Sequence, residues 1–125
     1  MEKKQIVSKN APAAIGPYSQ AIRVGNFLFV SGQIGMRRDG NLVSDDVKLQ
    51  TEQAIENLGA ILNTAGGSLE DIVKTTVYLK DMNKFNEMNE VYGKYFKKNP
   101  PARASVEVTN LPKKALVEID AIAEL

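Results

Sequence analysis

Cysteine and histidine are both absent from the chain. Without cysteine there is no disulfide framework, no thiolate nucleophile and no cysteine-held metal or iron-sulfur centre. Without histidine as well, the usual zinc ligands, the Ser-His-Asp triad and the Cys-His dyad are excluded. Catalysis would have to rest on Arg, Lys, Glu, Asp, Tyr, Ser and backbone groups. Neither G-x-G-x-x-G nor G-x-x-x-x-G-K-[ST] occurs, so Gly16, Gly32, Gly35 and Gly66-Gly67 build no phosphate loop; no metal and no cofactor are expected. An excess of one charge is missing too. Sixteen Lys and Arg stand against fifteen Asp and Glu, a net charge of +1, without the basic surplus that phosphate binding demands, so nucleic acid is not an expected partner. Nor are there long apolar runs. Met1-Glu2-Lys3-Lys4 leads into no apolar h-region, and no stretch is long enough to cross a bilayer, which makes a cytoplasmic location the expectation and membrane partners unexpected.

What is present suits one domain spanning residues 1–125, because a second core would leave each half marginal at this length. A hydrophobic fraction of 43% is enough to fill that core. Two apolar runs, Gln20 to Val24 and Phe27 to Ser31, flank Gly25-Asn26, the pattern of a tight hairpin. Gly32 and Gly35 then interrupt the apolar pattern, and Asp39-Gly40-Asn41 reads as a turn, so this region is expected to be a loop or a bulged edge. From Val47 to Ala65 the apolar residues fall on one helical face, with Ser44, Asp45 or Asp46 available as N-cap and Gly66-Gly67 as the stop. Val73, Thr75, Val77 and Leu79 alternate with more polar residues as in a strand. A second helix is predicted from about Asn83 to Phe96, and Pro100-Pro101 cannot continue it. Two closing strands follow, Ala102 to Val108 and Leu116 to Ala123, divided by Asn110-Leu111-Pro112-Lys113. The predicted class is α+β in the order ββαβαββ, with two helices on one face of a mixed sheet. Two helices cover only one face, so the other requires solvent tolerance or a partner subunit.

Few side chains invite a chemical role. Arg103 follows Pro100-Pro101 on a strand pattern, and its planar fork suits a carboxylate, yet a lone strand arginine is more commonly a solvated residue in a surface ion pair. Glu118, between Val117 and Ile119, could hold or deprotonate a water, or simply alternate outward to solvent. Gly16-Pro17-Tyr18-Ser19-Gln20 presents an aromatic hydroxyl on a compact turn, and Ser31-Gly32-Gln33 ends a strand where backbone donors are free; each alone reads as an ordinary turn. Met82, Phe85, Met88, Tyr92, Tyr95 and Phe96 recur at helical spacing and are assigned to the core.

Taken together, Ala11 to Ala21, Val30-Ser31-Gly32-Gln33, Gln50-Thr51 with Asn57-Leu58, Pro101-Ala102-Arg103, and Leu111-Pro112 followed by Val117-Glu118-Ile119 strongly resemble the RidA/YjgF family, in order and over nearly the whole chain. The resemblance implies a chorismate-mutase-like α+β fold assembled as a homotrimer, with clefts between subunits. It implies hydrolysis of reactive 2-imino acids, such as 2-iminobutanoate and 2-iminopropanoate released by pyridoxal-phosphate enzymes, to 2-keto acids and ammonia, with no cofactor. By the same resemblance Arg103 grips the substrate carboxylate and Glu118 positions the attacking water. Tyr18 is counted with them as catalytic, and Ser31, Gly32, Asn89 and, more weakly, Gln33 bind substrate. Many relatives carry Ser-Cys after the arginine where this chain has Ala104-Ser105, which sets aside any thiol-dependent role. Other members are described as translation inhibitors with ribonuclease activity or as holdase chaperones, and a ligand-binding sensor that turns nothing over is a further alternative. The near-neutral charge speaks against the ribonuclease reading, and the presence of Glu118 against the sensor.

Overall fold

Alternation of apolar and polar residues builds a six-stranded sheet, and two amphipathic segments become the helices that cover one side of it. The computed structural model describes residues 1–125. In chain order the elements are β1 (Lys3–Ile6), β2 (Ala21–Val24), β3 (Phe27–Ile34), α1 (Val47–Thr64), β4 (Ile72–Leu79), α2 (Phe85–Tyr95), β5 (Ala102–Glu107) and β6 (Val117–Glu124). The strands lie in the order β1-β2-β3-β6-β4-β5. Only the β4–β5 pair is parallel, with α2 as its crossover. The predicted α+β class with two helices on a mixed sheet is what the structure adopts.

The sheet has one strand more than the five expected, β1, which carries a single buried apolar residue, Ile6, behind two lysines. Such a pattern gives no period-two signal, and lysines on an edge strand discourage further pairing. The hairpin turns at Gly25, whose φ of 58° is costly for a residue with a Cβ. The expected bulge is present, as a register shift between Val30 and Gln33, but not at an edge: β3 continues through Gly32 to Ile34 between β2 and β6, and the expected turn follows further on, where the Gly40 N–H donates to the Arg37 carbonyl at 3.0 Å. Of the three candidate caps for α1, Asp46 is the one used, its carboxylate accepting from the Leu49 N–H at 3.0 Å.

The core lies between α1 and the sheet. Ala54, Ile55, Leu58, Ile61 and Leu62 of α1 pack over Leu28, Val77, Leu79, Val117 and Ile119, all at 0% exposure. Burying each large aliphatic side chain contributes about 2 kcal/mol. The opposite face is open and carries apolar pairs, Ile22 with Phe29, Phe29 with Ile122 and Tyr78 with Val106, beside the polar residues Lys74, Thr76, Glu118 and Asp120 of the central strands. Phe29 remains 46% exposed and Val106 40%.

Candidate active site

Three buried polar side chains fix the walls of a cavity of about 380 Å³ that is lined by Tyr18, Gly32, Gln33 and Glu118. Gln50, on the inner face of α1, accepts from the Leu116 N–H at 2.8 Å and donates to the Ser44 carbonyl at 2.7 Å. It therefore pins the chain two residues before Glu118. Asn57, two turns along, donates to the carbonyls of Ile34 and Met36 at 3.2 and 2.9 Å, holding the end of β3. Gln20 accepts from the Ser8 N–H at 2.6 Å and donates to the Ser8 and Pro12 carbonyls at 3.1 and 2.7 Å, so the segment before β2 is strapped down as the third wall. Leaving any of these buried amides unpaired would cost about 1–3 kcal/mol.

Glu118 lies on β6 between inward-facing Val117 and Ile119, so it alternates to the outer face. Gly32 makes room for it: a Cβ on Gly32 would stand 2.8 Å from the Glu118 carboxyl carbon and 3.1 Å from its Cγ. Burial raises the Glu118 pKa above the ordinary carboxylate value, and the negative charge of Asp120 on the same face adds to the shift. Asp120 is itself held by a hydrogen bond from the Tyr78 hydroxyl at 3.0 Å. Tyr18 projects from a turn closed by its own N–H on the Gly16 carbonyl at 2.9 Å. Ser31 sits beside the cavity, its N–H on the Gln20 carbonyl and its hydroxyl on the Ser19 carbonyl. Gln33 is buried and donates back to the Ser31 carbonyl at 3.1 Å.

Arg103 and Asn89 form a second, separate group. Arg103 is in register with Thr75, a fully buried residue facing the helices, and so shares the inner face with it. Its Nη1 donates to Asn89 Oδ1 at 2.7 Å, and its guanidinium lies over the rings of Phe85 and Tyr92. Glu118 is in register with Tyr78, and Tyr78 with Val106. Arg103 is thus two strands and three residues away from Glu118, about 14 Å between Cα atoms by standard strand spacings, and on the other side of the sheet. The structure gathers Tyr18, Ser31, Gly32, Gln33 and Glu118 on one side and Arg103 with Asn89 on the other. One small substrate cannot touch both groups of a single chain.

Phe85 and Tyr92 escaped the sequence reading, which counted them as core alone. Their spacing with Asn89 on one helix stripe is the signal that could have found them. The apolar cavity walls, among them Pro12, Ile15, Met36 and Pro112, are contributed by loops far apart in sequence.

The endoribonuclease L-PSP family model matches residues 8–125. The chain is 57% identical over 122 residues to a RutC family protein of Pyrococcus horikoshii, covering 97% of each. It is 49% identical over 122 residues to human 2-iminobutanoate/2-iminopropanoate deaminase, covering 97% of this chain and 89% of the human protein. Among solved structures, E. coli TdcF with bound serine superposes with a TM-score of 0.92 at 41% identity, covering 98% of both chains.

Proposed function

The chain belongs to the RidA/YjgF family, whose family model is described as endoribonuclease L-PSP, and from that premise we propose that it is a cytoplasmic hydrolase of 2-imino acids. Residues 1–125 act as one domain in this reading. The substrate class is suggested by the human deaminase relative and by serine, an amino acid, bound to TdcF. The observation that carries the reading is the pair of half-sites on opposite faces of the sheet: a desolvated carboxylate in a cavity with an apolar wall, and an arginine held without a carboxylate partner in the chain. Copies packing through the open apolar face would bring Glu118 of one against Arg103 of its neighbour, and the family resemblance makes that assembly a homotrimer.

The chemistry follows from the groups. The Arg103 fork binds the substrate carboxylate through two N–H donors. Asn89, its oxygen occupied by Arg103, keeps its amide N–H groups for the same carboxylate. Glu118 orients a water toward the imine carbon and takes its proton as the C–O bond forms. The tetrahedral carbinolamine then receives that proton on nitrogen, its hydroxyl gives its own proton to the freed Glu118 carboxylate as the C=O bond forms and the C–N bond breaks, and ammonia leaves a 2-keto acid. An imine carbon is already electrophilic, so orientation and modest proton transfer suffice, and the absence of histidine is no obstacle. Tyr18, Ser31, Gly32 and Gln33 shape the water side of the cleft.

The test generates 2-iminobutanoate from threonine with a threonine dehydratase and traps surviving imine with semicarbazide. The protein should lower the trapped fraction, and Arg103→Ala and Glu118→Gln, each still assembled, should not. Mixing the two inactive variants under subunit exchange should restore activity to about one quarter of wild type, since a randomly mixed cyclic assembly pairs one intact Arg103 with one intact Glu118 at that frequency. No fall in trapping with wild type would overturn the deaminase reading, and no recovery on mixing would overturn the shared site.

A further inference from the structure

An arginine that must grip a carboxylate works best when its guanidinium is held before the substrate arrives, because a long flexible side chain otherwise loses rotamer freedom on binding. A salt bridge would hold it but would also neutralise the grip. The chain's ion pairs are Lys48 with Glu90 and Lys84 with Glu87, and neither involves Arg103. Its guanidinium carbon instead lies 4.7 Å from the ring centroid of Tyr92 and 5.5 Å from that of Phe85, with Asn89 between them on the same stripe of α2. Ring faces attract the cation yet leave its charge available.

The Tyr92 ring is itself fixed. Its hydroxyl pairs with the Thr75 hydroxyl at 2.7 Å, both residues buried, and Thr75 is the register partner of Arg103 on β4. The ring therefore spans from helix to sheet directly beside the arginine's own place in the ladder. We propose that Tyr92 and Phe85 are positioning residues for substrate binding: their ring faces set the pose in which Arg103 meets the carboxylate. The proposal rests on the reading of Arg103 as the carboxylate grip.

Tyr92 also packs in the core, with Phe96 at 4.5 Å between ring centroids, so the experiment must separate packing from positioning. Steady-state KM and kcat for 2-iminobutanoate, and the melting temperature, are measured for wild type, Tyr92→Phe, Tyr92→Leu, Phe85→Leu and Arg103→Ala. Tyr92→Phe keeps the ring and strands the Thr75 hydroxyl, so it should lower the melting temperature with KM within about twofold of wild type. Tyr92→Leu should raise KM about tenfold and Phe85→Leu about threefold, with kcat little changed, because a carboxylate grip acts in ground and transition states alike. If Arg103→Ala is inactive while Phe85→Leu and both Tyr92 variants leave KM at the wild-type value, or Phe and Leu at 92 shift it equally, the positioning role is refuted and the grip survives. If Arg103→Ala keeps the wild-type KM, the grip fails and the positioning role with it. Should Tyr92→Leu not fold, the half-exposed Phe85→Leu decides the matter.

Discussion

Gly32→Ala is the smallest change that displaces the candidate base without touching it. Gly32 has no positive φ, so alanine suits its backbone, and removing a strand glycine would by itself stabilise by about 0.5–1 kcal/mol. The added methyl carbon would stand 2.8 Å from the Glu118 carboxyl carbon and 3.1 Å from Cγ, well inside van der Waals contact. Gln50 holds the backbone ahead of Glu118 through Leu116, so the side chain rather than the strand must give way, by about an ångström. A misplacement of that size in a reacting group costs about a hundredfold in rate, close to 2.7 kcal/mol in the barrier. We therefore expect kcat/KM for 2-iminobutanoate to fall about a hundredfold in the semicarbazide-trapping assay, with the melting temperature nearly unchanged. Adding Glu118→Asp, which withdraws the carboxylate by one methylene, should relieve the overlap, so that the double variant is no worse than Gly32→Ala alone. Activity of Gly32→Ala within threefold of wild type would refute a role for the Glu118 carboxylate at this position.

Glu118 acts as a base only when ionised, so kcat/KM should rise with pH through its pKa; burial raises that pKa, and the acid limb should lie above the value of about 4.3 for a free glutamate. The same shift has a stability consequence: the folded state holds the Glu118 proton more tightly than the unfolded state, so the group's favourable contribution is complete below the unfolded pKa and is lost as pH rises through the folded one. Glu118→Gln should accordingly melt higher than wild type at neutral pH, with the gap closing near pH 4, as thermal scans at the two values would show. Phe29→Asp places a charge on the open apolar face away from both half-sites, and should dissolve the assembly and abolish turnover together, as measured by light scattering alongside the trapping assay; an active monomer would refute the shared site. Gln50→Ala strands the Leu116 N–H and the Ser44 carbonyl and should cost about 1–3 kcal/mol in denaturant unfolding, with activity falling further than stability because β6 carries Glu118.

Most elements were legible in the sequence because their signals are local. The hairpin turns where Gly25-Asn26 sits, α1 ends where Gly66-Gly67 follows it, and β4 shows plain alternation. The edge strand β1 was not legible, since Lys3-Lys4-Gln5-Ile6 buries one residue and is defined by pairing with β2 rather than by its own pattern. The bulge at Val30–Gln33 was legible but its place inside the sheet was not, for a related reason: a glycine within an apolar run looks like a break or an edge, whereas the space it leaves is filled by the Glu118 side chain contributed by β6. In the candidate site, residue types and the family pattern were visible, but the division between faces was not. That division depends on the parallel pairing of β4 with β5, which sets Arg103 beside Thr75.

The division has a chemical logic. Had Arg103 lain on the outer face beside Glu118, the two would have formed an ion pair in every copy, lowering the carboxylate's pKa and satisfying the guanidinium before any substrate arrived. The proposed reaction needs the opposite state of both groups: a carboxylate desolvated enough to take a proton from water, and a cation still free to accept a carboxylate. Strand alternation separates them within the chain at no cost in packing, because each sits where its own face supplies a fitting environment, an apolar-walled cavity for Glu118 and aromatic rings for Arg103. On the proposed reading the substrate completes the circuit between copies, its carboxylate meeting the arginine and its imine carbon meeting the water. On the same reading Phe29, Ile122 and Val106, which lie on the open face of the sheet, are the surface through which copies would bring the two halves of the site within reach.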